Sequence, residues 1–79
     1  MAVDEYVEKF IEYWDIKNYS VEKCMLGELC SLEEALDPNS GANLEPEKLK
    51  KIAENKKWLD DHWQEVEKAL LKKQEELRK

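Results

Sequence analysis

The chain is poor in the residues that usually mark an enzyme or a disulfide-stapled scaffold. Its 79 residues include one histidine, two cysteines, two glycines and two prolines. A transition-metal site needs three or four converging ligands. His62, with Asp60 and Asp61 beside it, cannot supply them, because adjacent residues diverge around a helix. Cys24 and Cys30 lie six residues apart. On one continuous helix that is about 9 Å at 1.5 Å per residue, beyond the ~7 Å a disulfide tolerates. Without a neighbouring base neither reads as a nucleophile, and both read as buried structural cysteines. Two glycines leave no room for a phosphate-cradling loop. No apolar run approaches the ~20 residues of a membrane span, and the first residues show no basic-then-apolar leader. A reducing, cytoplasmic setting is the expectation. Basic excess is missing too: the net charge is −6, which disfavours binding of the whole protein to nucleic acid or an anionic membrane. No catalytic residue, cofactor, metal or small-molecule substrate is expected.

What is present is charge and helix-forming bulk. Charged residues make up 41% of the chain and apolar ones 42%, a mixture typical of helical proteins. Three Trp, three Tyr and one Phe provide enough large surface to argue against disorder. A chain this short forms one domain, residues 1–79, and buries only ~60–65% of its unfolded surface. Such scaffolds often rely on a partner for part of their stability.

Local signals predict an all-α fold. Asp4 and Glu5 suit a helix N-terminus, and Val3, Val7, Phe10 and Trp14 follow at helical spacing, giving a first helix over about 4–17. Ser20 is a good N-cap for a second helix over about 21–36, apolar on most sides. Gly27 weakens its middle by up to ~1 kcal/mol relative to Ala. The Ser31 to Glu34 segment reads as a capping box, so a kink near residue 30 is the alternative to a continuous helix. A cluster of breakers opens a loop over 37–45. Pro46 sits where a helix welcomes proline, and nothing after it interrupts. One long helix over about 46–79, ~50 Å in length, is therefore expected. Two short N-terminal helices packed on this long one make a three-helix bundle or helical hairpin.

The long helix carries a seam at alternating steps of three and four: Leu49, Ile52, Lys56, Leu59, Trp63, Val66, Leu70, Lys73 and Leu77. This is bundle or coiled-coil spacing, with the lysine stems able to lie along it. One flank is basic (Lys50, Lys51, Lys57, Lys72, Arg78, Lys79) and the other acidic (Glu54, Asp60, Asp61, Glu67, Glu75). Residues 1–45 carry eleven acids against three lysines, and residues 46–79 eight acids against ten bases. The simplest use of the basic flank is to lie over the acidic front half.

Length then suggests an interface. Antiparallel to the long helix, the second helix covers it only to about residue 62. If the first helix pairs beside the second, Trp63, Val66, Leu70, Leu71 and Leu77 form an exposed apolar stripe, the mark of an interface. If it lies end to end with the second, the stripe is covered from within. The leading expectation is a non-enzymatic interaction protein, an adaptor, inhibitor or assembly factor, acting through this stripe on a protein partner or as a homodimer. The alternatives are a nucleic-acid-associated regulator using Lys50, Lys51, Lys57 and Trp58, and an acidic inhibitor that mimics DNA toward a basic partner.

Overall fold

The computed structural model describes residues 2–39 and 44–79. They form four helices and no strand: α1 (Val3–Tyr13), α2 (Val21–Leu36), α3 (Pro46–Asp61) and α4 (Trp63–Leu77). The all-α class holds, but the single long C-terminal helix does not. It is divided at His62, whose φ of −113° and ψ of 16° leave the helical region. The backbone ladder is bent there rather than abandoned. The His62 N–H is shared between the Trp58 carbonyl at 3.0 Å and the Leu59 carbonyl at 3.3 Å, and the Val66 N–H still reaches the His62 carbonyl at 2.9 Å. The His62 ring Nδ1 also lies 2.8 Å from the Trp58 carbonyl. A side chain that bonds its own preceding turn competes with helix geometry, and no glycine or proline is needed for the break.

The first helix is also shorter than its apolar spacing suggests. It stops at Tyr13, with Trp14 in extended conformation. The cause is local: the Asp15 carboxylate accepts from the Asn18 backbone N–H at 3.3 Å and from its side-chain amide at 2.9 Å. This Asx-type turn offers the chain an alternative to helix. Released from the helix, Ile16 becomes a plug that is 1% exposed. Ser20 caps α2, accepting from the Lys23 N–H at 3.4 Å. α2 runs through Gly27 and Ser31 without interruption, so the kink near residue 30 is absent. Pro46 occupies the first turn of α3. Of the 37–45 loop, Asp37 accepts from the Asn39 N–H, and residues 40–43 lie outside the described residues.

The elements assemble into an elongated body of 42 × 23 × 18 Å. α2 packs along α3 and continues onto α4, while α1 packs on α4. One core draws Val7 and Phe10 from α1, Ile16 from the turn, Val21, Cys24 and Met25 from α2, Leu59 from α3, and Val66 and Leu70 from α4. The C-terminal half of the α3–α4 rod is thus the covered half, because α1 and α2 both lie against α4. The α2–α3 end is a two-helix layer, and Leu32, Leu36, Leu49 and Ile52 are only half-buried there.

The end of α4 fastens the turn between α1 and α2. The Gln74 side-chain amide donates to the Ile16 carbonyl at 2.6 Å and the Tyr19 carbonyl at 3.0 Å, and Arg78 Nε donates to the Lys17 carbonyl at 2.7 Å. Those carbonyls lie outside any helix. The Ile16 carbonyl is part-buried, and its bond to Gln74 meets the need of buried backbone for a partner. The bonds to Lys17 and Tyr19 are exposed.

Candidate functional site

The expected interface stripe is split by the fold. Val66 and Leu70 are fully buried within the chain, Trp63 packs half-buried against the core, and only Leu71 and Leu77 are exposed. The reason is the placement of α1, which lies on α4 rather than beside α2 over α3. Val66 and Leu70 are therefore intramolecular core. The basic flank is divided as well. Lys50, Lys51 and Lys57 are exposed, but Trp58 is half-buried and turned toward α1. The far end of the flank does lie beside the acidic front half: Lys72 shares a surface depression with Asp4 and Glu8 of α1, and Arg78 one with Glu22 of α2. The ion pairs Lys56–Asp60 and Lys73–Glu76 each form within a single helix. The contact between the halves is made by apolar packing and by the Gln74 and Arg78 bonds.

The most aromatic of several concave features of the surface lies where α1, α2 and α3 meet. Steps of three and four along α1 bring Tyr6, Phe10 and Tyr13 to one side, with Lys9 at the margin and Trp14 just past the helix end. α2 contributes Glu28 and Leu32, and α3 contributes Asn55 and Trp58. Together they enclose an open cleft of about 270 Å³, just under the ~300 Å³ at which ligand pockets for whole small molecules begin. Its size suits one large side chain.

Aromatic rings run through this site as a chain. Trp14 stacks on Phe10 with centroids 6.1 Å apart, Phe10 meets Tyr6 at 5.9 Å, Tyr6 meets Trp58 at 4.9 Å, and Trp58 stacks on His62 at 4.5 Å. All lie within the distances at which rings attract beyond simple burial. Trp14 is fixed at two points: its indole N–H donates to Glu28 Oε2 at 2.7 Å, and its six-membered ring lies against Gly27. A Cβ on Gly27 would stand 2.8 Å from Trp14 Cη2 and 3.0 Å from Cζ3. The glycine is therefore the seat of the Trp14 ring.

Glu28 is the charged group inside the cleft. It is half-buried, and no cation among the described residues pairs with it. Its charge reaches Tyr6, whose phenol is pushed up to about 12, first by burial and then by Glu28. Tyr6 accordingly stays a neutral hydroxyl at physiological pH. Asn55 and the exposed Lys9 complete the polar lining.

Reactive chemistry finds little support in this arrangement. Burial, and then the Asp15 charge, raise the Cys24 thiol and disfavour its thiolate. Cys30 is exposed rather than buried, because it lies on the outer side of α2, and both cysteines are free. Among the described residues no three His, Cys, Asp or Glu side chains converge on a common point, and no helix is long and apolar enough to cross a membrane. The helical spacing of the sequence places Phe10 and Trp14 on one apolar face without revealing a cleft, and it gives no sign of Glu28 or Asn55. The available signal was density: four of the seven aromatic residues fall between positions 6 and 14. No protein-family model matches the chain, and neither does any curated protein or solved structure.

Proposed function

We propose that this is a non-enzymatic interaction protein that docks a segment of a protein partner in the aromatic cleft between α1, α2 and α3. The observation that carries the reading is the exposure of Tyr13. This tyrosine is 84% exposed at the rim of a cleft walled by half-buried Trp14 and Trp58. Trp and Tyr at the edge of a concavity are the side chains that most often anchor protein interfaces, since they offer large rigid area at low entropic cost. Among the described residues no third helix covers the α2–α3 layer beside the cleft, leaving a flank along which an extended or helical segment can lie. The stripe on α4 supports docking less well, since two of its five residues are sealed in the core.

Selection of binding peptides from a random library, followed by amide-shift mapping, tests the reading. The expected result is peptides whose shifts centre on Tyr6, Phe10, Trp14 and Trp58. Tyr13→Ala should weaken them at least ~5-fold while leaving the helical circular dichroism unchanged, because the side chain is nearly free of internal contacts. Shifts centred on Leu71 and Leu77, or a concentration-dependent dimer formed through them, would return the function to α4 and overturn the cleft reading. Peptides that bind only the exposed lysines of α3 would do the same.

A further inference from the structure

We infer that the cleft recognises an arginine side chain of the docked segment, held against the aromatic wall with its guanidinium at Glu28. The inference rests on the docking reading above and names the chemistry of its occupant.

Four observations support it. The cleft, at about 270 Å³, is of side-chain size. Its walls are aromatic, and ring faces attract cations, arginine more often than lysine, because a planar guanidinium can stack on them. Its charged floor is a half-buried carboxylate, with one oxygen accepting from Trp14 at 2.7 Å and no cation paired to it among the described residues. That oxygen keeps a lone pair and the other oxygen keeps two, so a fork of N–H donors can still be received. Finally, residues 2–39, which form α1 and α2, carry ten acids against three lysines. The field around the mouth therefore favours approach of a basic segment.

Lys9 opposes this. Its ammonium group lies at the margin of the same cleft, exposed and unpaired with Glu28, so it competes weakly with any incoming cation. That gives the inference a second sign to test, since removing Lys9 should help an arginine ligand and leave a neutral one indifferent.

The experiment compares short arginine peptides with the same peptides carrying citrulline, which keeps the shape and loses the charge. Binding is read by Trp fluorescence and by the shifts of the Trp14 indole N–H. Arginine peptides should bind at least ~10-fold more tightly than their citrulline counterparts. Glu28→Gln, whose amide oxygen can still accept from Trp14, should abolish that preference, and Lys9→Ala should raise arginine affinity a few-fold without changing citrulline affinity. Lysine peptides should fall between the two. Equal binding of arginine and citrulline peptides in the cleft would overturn the cation inference and leave the docking reading standing. Peptides that never reach the cleft would overturn both.

Discussion

Gly27 and Trp14 set the geometry of the cleft, and their coupling predicts a change of sign. In an exposed helix interior Gly→Ala gains roughly 1 kcal/mol from propensity. Here the new methyl group would stand 2.8 Å from a ring carbon of Trp14. That ring cannot swing away cheaply, because it is bonded to Glu28 and stacked on Phe10. Overpacking of this kind typically costs about 1–3 kcal/mol. Gly27→Ala should therefore destabilise the chain by about 1 kcal/mol net in urea unfolding. In a Trp14→Phe background, where the two crowding atoms are gone, the same substitution should stabilise. Stabilisation in both backgrounds would show that the Trp14 ring does not occupy this seat. Tyr6 provides a second reading of the site. With its phenol pushed up to about 12 from 10.0, the folded state holds its proton where the unfolded chain releases it. The resulting stability is full below pH 10 and is lost as pH rises toward 12. Absorbance at 295 nm should show a late tyrosine step that disappears in Tyr6→Phe. Glu28→Gln should move that step down only in part, since burial is the larger cause.

Among the elements, the burial of α3 and α4 runs opposite to what their order suggests. Leu49 and Ile52 on α3 are half-buried against α2 alone, while Val66 and Leu70 on α4 are sealed by α1 and α2 together. Local opening follows the density of such contacts. Native-state hydrogen exchange should find the amides of Leu49 and Ile52 exchanging well before those of Val66 and Leu70, with the change occurring near His62. Uniform protection from 46 to 77 would mean the two helices open as one. The parts of this architecture legible in the sequence were those set by neighbours in the chain: the Ser20 cap, the Pro46 start, the continuous seam. The break at His62 was not, because a ring nitrogen turning onto the Trp58 carbonyl leaves no trace in composition or periodicity. The early stop of α1 was half-visible. Asp15 and Asn18 are turn formers, but the apolar spacing that runs through Trp14 masked them. The cleft draws its walls from residues 6 to 14, 28 to 32 and 55 to 58, and such a meeting depends on which helix α1 chooses. Either choice was open to the short linker.

For the whole molecule, that choice decides what the chain can present to a partner. With α1 on α4, the apolar interior closes on itself at the C-terminal end and opens at the aromatic cleft and the α2–α3 layer. The front half carries eleven acids against three lysines, and the field of that excess is screened in solvent over roughly 8–10 Å at physiological salt. The closed end can be tested with two neighbouring leucines. Leu70 is 0% exposed and Leu71 is 45% exposed, one residue apart on the same helix. Replacing a buried leucine with alanine costs about 2–5 kcal/mol, and an unpaired carboxylate in the same place adds several more. A chain of this length has roughly 4–12 kcal/mol to lose, at 0.05–0.15 per residue. Leu70→Asp should therefore unfold most of the population at 25 °C, as read by circular dichroism, whereas Leu71→Asp should shift the unfolding midpoint by only a few degrees. If instead Leu70→Asp stays folded and merely dissociates a dimer seen by light scattering, α1 does not cover α4 in solution, and the interface belongs on the C-terminal helix after all.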